Sequence, residues 1–262
     1  MEKIANYATY NRAMKTTLND KLWFLKETKD IDTIIDFGCA DGSLMVEIEK
    51  HHPNKYNYIG IDIDDVMICS AMRHTSHFAD RTTFAHTIDA VASMIQLHNC
   101  VLVLNSVVHE ICSYLTYIDR CELFNQFSKV GVKYIAIRDM HYFEKDEWNG
   151  QMQSFDWHKH QEQYQSWNDK HYYSNSDINK EIEFMLKYRY ANNWVRECAE
   201  RYLWDWSTIF HSYFTDEEIQ IETDFYIPFI FNTLNRDYNT NITPFPTHKK
   251  MLIKLKKFHK RG

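Results

Sequence analysis

An α/β fold with seven strands in a mostly parallel sheet is predicted by three features of the sequence. Short apolar runs alternate with helix-length segments up to residue 140. A glycine turn follows the first of these runs, and two segments of period-2 alternation close the chain. Near-continuous apolar strands separated by helices indicate a parallel sheet covered on both faces.

Residues 1–30 carry Ile4, Tyr7, Ala8, Met14, Leu18, Trp23 and Leu25 at loose helical spacing, which predicts one or two helices leading into the sheet. The β-branched run Thr33-Ile34-Ile35-Asp36-Phe37 is the first strand, ended by Gly38, and Leu44 to His51 resumes the helical period. Tyr58 to Asp62 is the second strand, and residues 64–75 suit a helix. Thr82–His86, Cys100–Leu104 and Tyr134–Arg138 follow as third, fourth and fifth strands.

Residues 141–214 lack strand runs and are rich in tryptophan (Trp148, Trp157, Trp167, Trp194, Trp204, Trp206), with a helical pattern from about Asp177 to Trp206. They are expected to form an inserted helical cap. Its aromatics either wall an acceptor site by stacking and cation–π contact or pack as core between helices. The last two strands are expected at Glu218–Thr223 and Met251–Lys256, joined by a connection containing Pro228, Pro244 and Pro246. The expected organisation is therefore a helical lid at 1–30, a core at 31–140 and 215–262, and the cap at 141–214.

Length and composition limit the function classes. A chain of 262 residues can bury a core without disulfide or metal staples. Its six cysteines are scattered, with no CxxC pair and no zinc-type spacing, and read as reduced thiols in a cytoplasmic protein. No apolar run approaches the ~18 residues of a membrane span, and the N-terminus lacks the apolar core of a signal peptide. A net charge of −6 disfavours a surface that coats phosphates, although Lys256-Lys257-Phe258-His259-Lys260-Arg261 forms a local basic tail.

The segment Asp36-Phe37-Gly38-Cys39-Ala40-Asp41-Gly42 lies at the carboxyl end of the first strand, where open α/β sheets bind ligands. Glycine there lets backbone approach a ligand, and the next helix offers unpaired N–H groups. Asp62 ends the second strand about twenty residues on, the place from which a carboxylate accepts from ribose hydroxyls. These features make a nucleoside site. The turn reads G-x-A-x-G, not the G-x-G-x-x-G of a dinucleotide site.

An acid two residues before such a turn resembles the first motif of class I S-adenosylmethionine-dependent methyltransferases, with Ala40 in place of the middle glycine. The closing strand pair resembles the same Rossmann-like family, which implies a seven-stranded sheet with an antiparallel last strand. The resemblance implies S-adenosylmethionine as cofactor, with Asp36, Gly38, Cys39, Ala40 and Gly42 beside its methionine part and Asp62 on its ribose. By position it also implies Ile63 against adenine and Asp89 near the adenine amino group. Ile63 as a core residue and Asp89 as a helix cap are the competing readings. The end of the fourth strand, Asn105-Ser106-Val107-Val108-His109-Glu110, falls where the family bounds the sulfonium and its acceptor.

Methyl transfer from a sulfonium requires alignment of a nucleophile, and a general base helps where the acceptor must lose a proton. His109, with Glu110 as partner, is the candidate base; the competing reading is a helix cap and a first-turn acid. Arg138, Asp139 and His141 are candidates for the acceptor side, the competing reading being a solvated pair and a loop histidine. Tyr7, Tyr10 and Arg12 are candidates for a lid, the competing reading being ordinary residues of an amphipathic helix. No D/N-P-P-aromatic run is present, which lowers the case for methylation of exocyclic base amines. The expected function is methylation of a small-molecule acceptor, with RNA methylation and a non-catalytic cofactor-binding scaffold as alternatives, and with no membrane partner.

Overall fold

The apolar runs form strands because their bulky and β-branched residues alternate between two buried faces. A computed structural model describes residues 4–8, 15, 17–92, 99–143, 152, 155–170 and 178–256. Its strands are β1 (Thr33–Phe37), β2 (Asn57–Ile61), β3 (Thr82–Ala85), β4 (Cys100–Asn105), β5 (Tyr134–Met140), β6 (Ile219–Phe225) and β7 (His248–Lys254). They make one sheet in the order β3-β2-β1-β4-β5-β7-β6. β1 to β5 are parallel, and β7 is antiparallel to both β5 and β6. The strand order reverses between β1 and β4, so the ends of these two strands open the crevice that α/β sheets use for ligands.

The helices are α1 (Leu18–Lys21), α2 (Ser43–His51), α3 (Asp65–His74), α4 (Ile88–Ala92), α5 (Val108–Tyr114), α6 (Tyr117–Lys129), α7 (Gln161–Lys170), α8 (Ile178–Lys187), α9 (Trp194–Ala199), α10 (Trp206–His211) and α11 (Pro228–Tyr238). One sheet face buries Ile35, Leu102, Leu104, Ile135 and Ile137 against Phe124 and Phe127 of α6 and Phe210 of α10. The other buries Ile34, Val101, Val103 and Ala136 against Phe24 and the α2 residues Leu44, Met45 and Ile48. Every residue of β4 and β5 is buried, as expected of central strands.

The last three strands differ most from the expected bounds, and β6 covers Ile219–Phe225. β5 continues to Met140, and β7 starts at His248, because Asp139 and Met140 pair with Lys249 and His248. Lysines interrupt the apolar pattern there, but each finds an acid: Lys249 bonds Glu222 (2.6 Å) and Lys250 bonds Asp20 (2.5 Å).

The aromatic segment expected as the cap divides between two cores. Trp157, Trp167, Phe184 and Tyr188 pack with Phe231 and Leu234 of α11 in a separate cluster. Trp206, Phe210 and Phe214 join the main core instead, and the Trp206 indole donates to the Met140 carbonyl (2.7 Å). Trp148 lies outside the described residues. Among the described residues, no helix is long and apolar enough to cross a membrane.

Candidate active site

After β1 the chain must turn sharply, and three residues of the turn, Gly38, Ala40 and Gly42, take positive φ (76°, 46° and 74°). At Gly38 a Cβ would stand 2.8 Å from Val107 Cγ2, so glycine is required by both conformation and space. Gly38 and Cys39 donate their N–H groups to the Ile61 carbonyl (2.7 and 3.0 Å), tying the turn to β2. Ala40 donates its N–H to Asp62 Oδ2 (2.8 Å), while Asp62 Oδ1 accepts from Asp64 N–H (2.9 Å). Each carboxylate oxygen keeps a lone pair for a further donor. Burial raises the Asp62 pKa above its ordinary value.

Beneath this turn lies a cavity of about 730 Å³, within the usual range for small-molecule sites. Gly38, Ala40, Asp62, Ile63, Asp89 and Asn105 all line it. Ile63 is 65% exposed, so it belongs to the cavity wall and not to the core. Asp89 sits in the first turn of α4, where Thr87 Oγ1 accepts from Ala90 N–H and Asp89 accepts from Gln126 Nε2 (3.2 Å). Asn105 ends β4 with its Nδ2 toward the Lys21 carbonyl (3.4 Å) and its buried Oδ1 without a partner among the described residues.

Asp36, Cys39 and Gly42 do not line the cavity and stand behind the turn. Asp36 is buried; burial, opposed by nearby Lys21, pushes its pKa up to about 7. Lys21 is itself buried, and burial together with Arg138 lowers its pKa to about 8. The Cys39 thiol is buried and shifted far upward by that burial, so it is an inert thiol. Gly42 starts α2 and packs closely on Ala71.

A second, smaller cavity of about 90 Å³ shares Ser106 and Glu110 with the first. His109 lines it and is held by Asp139, which accepts from the His109 backbone N–H (3.0 Å) and meets Nδ1 at 2.9 Å. Burial opposes a charge on His109, but Asp139, with Glu110 and Glu200 nearby, outweighs it and sets the pKa at about 9. His109 is therefore cationic at neutral pH. Burial and neighbouring Glu200, opposed by Arg196, push Glu110 up to about 7. Arg138 lines this cavity; Asp139 is wholly buried under His109; His141 turns away to Ser207 Oγ (2.8 Å).

Several groups at this junction carry no local sequence signal, because they come from α9 and the chain after it. Arg196 pairs with Glu110 (2.6 Å) and Glu200 (2.7 Å), linking α9 to α5. Buried Lys187 donates to Glu183 and to the carbonyls of Glu197 and Glu200 (3.0, 2.9 and 2.7 Å), fixing the segment that carries these acids. His109, Glu110 and Glu200 have ligand atoms within 4.8 Å of one another, but Arg196 bridges both carboxylates and supplies their countercharge.

The N-terminal segment reaches the same cavity. Ile4 and Tyr7 line it, Tyr7 donates its hydroxyl to Asp64 Oδ2 (2.7 Å), and the N–H groups of Ala5 and Asn6 donate to Asn193 Oδ1 (2.9 and 3.0 Å). Tyr10 and Arg12 lie outside the described residues. None of the described tryptophans lines either cavity.

No protein-family model matches the chain, and no curated protein matches it. Among solved structures, the plantazolicin methyltransferase BpumL in complex with SAH is similar at 15% identity and a TM-score of 0.51, over 96% of this chain and 88% of that one. The plantazolicin methyltransferase BamL, with SAH and a triazolic desmethylPZN analog, is similar at 10% identity, covering 94% and 85% of the two chains with a TM-score of 0.48. The methyltransferase domain of bacterial CtHen1-C is similar at 12% identity, covering 90% and 96%, with a TM-score of 0.48. With the observed strand order and the BpumL likeness, the chain has the Rossmann-like fold of class I methyltransferases.

Proposed function

We propose that the chain is an S-adenosylmethionine-dependent methyltransferase acting on a small-molecule acceptor. The observation that carries this reading is the large cavity at the sheet's switch point, walled by the glycine turn, Asp62 and the partnerless Asn105 Oδ1. The residues present fit the cofactor: Asp62 retains acceptor capacity for two ribose hydroxyls, Ile63 offers an apolar surface to adenine, and Asp89 offers a carboxylate to its amino group. Asn105 Oδ1 has a matching donor in the ammonium group of the methionine part. Gly38 brings bare backbone and Ala40 only a methyl group to the cavity, while Asp36 and Lys21 are both buried and near each other. When bound, S-adenosylmethionine supplies an electrophilic methyl group on a sulfonium.

The chain's own task is to hold the acceptor atom in line and to take its proton. Glu110 lines both cavities and titrates near neutrality, which suits a general base. His109, fixed by Asp139, is charged at neutral pH and acts in this reading as a positioning cation beside Glu110, not as the base. Residues 4–8 and α9 act as the lid, joined through Asn193 and the Arg196 clamp. The small volume of the second cavity, about 90 Å³, favours a small acceptor over RNA, whose backbone requires a broad basic surface. Calorimetric titration with S-adenosylmethionine tests the reading: one site per chain is expected, and no binding at millimolar cofactor rejects it.

A further inference from the structure

The second cavity is faced by two guanidinium groups that the mechanism above leaves unused. Arg138 is 1% exposed; its Nε donates to Asp20 (2.6 Å), its Nη1 to Ser106 Oγ (2.9 Å), and its Nη2 has no partner among the described residues. Arg189, just after α8, makes cation–π contacts with Phe229 (4.9 Å) and Tyr190 (5.8 Å), and its buried Nε has no acceptor among the described residues. Both residues line the cavity.

The acid paired with Arg138 is also shared. Asp20 accepts from Lys250 as well as Arg138, so one carboxylate serves two cations. His248, lining the same cavity, is held neutral by burial and by Arg138. Buried donors without acceptors are costly, and two of them in one cavity point to an oxyanion. The acids that do line it, Glu110, Glu197 and Glu200, disfavour a dianion. A planar monoanion also matches the geometry of a guanidinium.

We propose that this cavity binds the methyl acceptor and that the acceptor carries a carboxylate, received by Arg138 Nη2 and Arg189. The inference rests on the methyltransferase reading, since the cavity is an acceptor site only if its larger neighbour holds the cofactor. The acceptor's nucleophilic end would then face Ser106 and Glu110, where the two cavities meet.

The test titrates the SAH-saturated protein with propionate, with propionamide as its neutral counterpart and with inorganic phosphate, following the thermal midpoint and binding heats. Saturable binding of propionate at tens of millimolar is expected, with propionamide and phosphate at least tenfold weaker. Arg189→Met should weaken propionate about 10–100-fold, the loss expected for a charge-assisted bond. Arg138→Lys should do the same; if that variant does not fold, Arg189→Met decides alone, because Arg189 holds no hydrogen-bonded partner in place. Equal binding of propionate and propionamide, no binding of propionate, tighter binding of phosphate, or unchanged affinity in Arg189→Met overturns the proposal. Failure of the wild-type protein to bind SAH overturns instead the reading on which it rests.

Discussion

At the scale of single residues, the pH dependence of the proposed reaction follows from Glu110 and His109. Glu110 must be ionised to accept a proton, so kcat/KM should rise through about pH 7. His109 must remain charged to hold its place, so the rate should fall above about pH 9. A pH–rate profile checks this, and Glu110→Gln should remove the rising limb. Stability carries the same signature. The folded pKa of His109 lies above the unfolded value of about 6.5, so its pairing with Asp139 is fully stabilising below that value and is lost as pH rises through about 9. Thermal unfolding of the wild type should therefore lose more stability between pH 7 and pH 10 than that of Asp139→Asn. In the larger cavity, Asp62→Ala removes the proposed ribose acceptor and the bond to Ala40, and should weaken SAH by about 10–100-fold in calorimetry.

At the scale of elements, the turn between β1 and α2 is the feature most legible in the sequence. Its glycines, the acid before it and Asp62 beyond it stand close together in the chain, and a β-branched run ending in glycine is a local signal. The energetics of Ala40 were less legible. Its φ of 46° puts a methyl group in the left-handed region, which costs about 1–2 kcal/mol. Ala40→Gly should recover up to about 1 kcal/mol in denaturant unfolding, the added chain entropy offsetting the rest. Gly38→Ala meets Val107 as well as the φ penalty, and should cost about 2–4 kcal/mol. The limits of β5 and β7 are not legible locally, because Lys249 and Lys250 read as loop residues without Glu222 and Asp20 beside them.

At the scale of the whole molecule, the sheet was readable because its strands are near-continuous apolar runs, whereas the acceptor side was not. Arg138, Arg189, Arg196 and Glu200 converge from β5, the end of α8, and the chain around α9, and no spacing in the sequence announces that convergence. The tryptophans of the aromatic segment show the same limit: composition marked the segment as distinct, but Trp206 belongs to the main core and Trp157 to the packing on α11. The central claim is that the cavity under the glycine turn receives the adenosyl group. A crystal structure with SAH tests it most directly. The account predicts the nucleoside in that cavity, ribose hydroxyls on Asp62 and the sulfur toward Ser106 and Glu110. SAH bound elsewhere, or density showing the cavity closed by protein side chains, would contradict it.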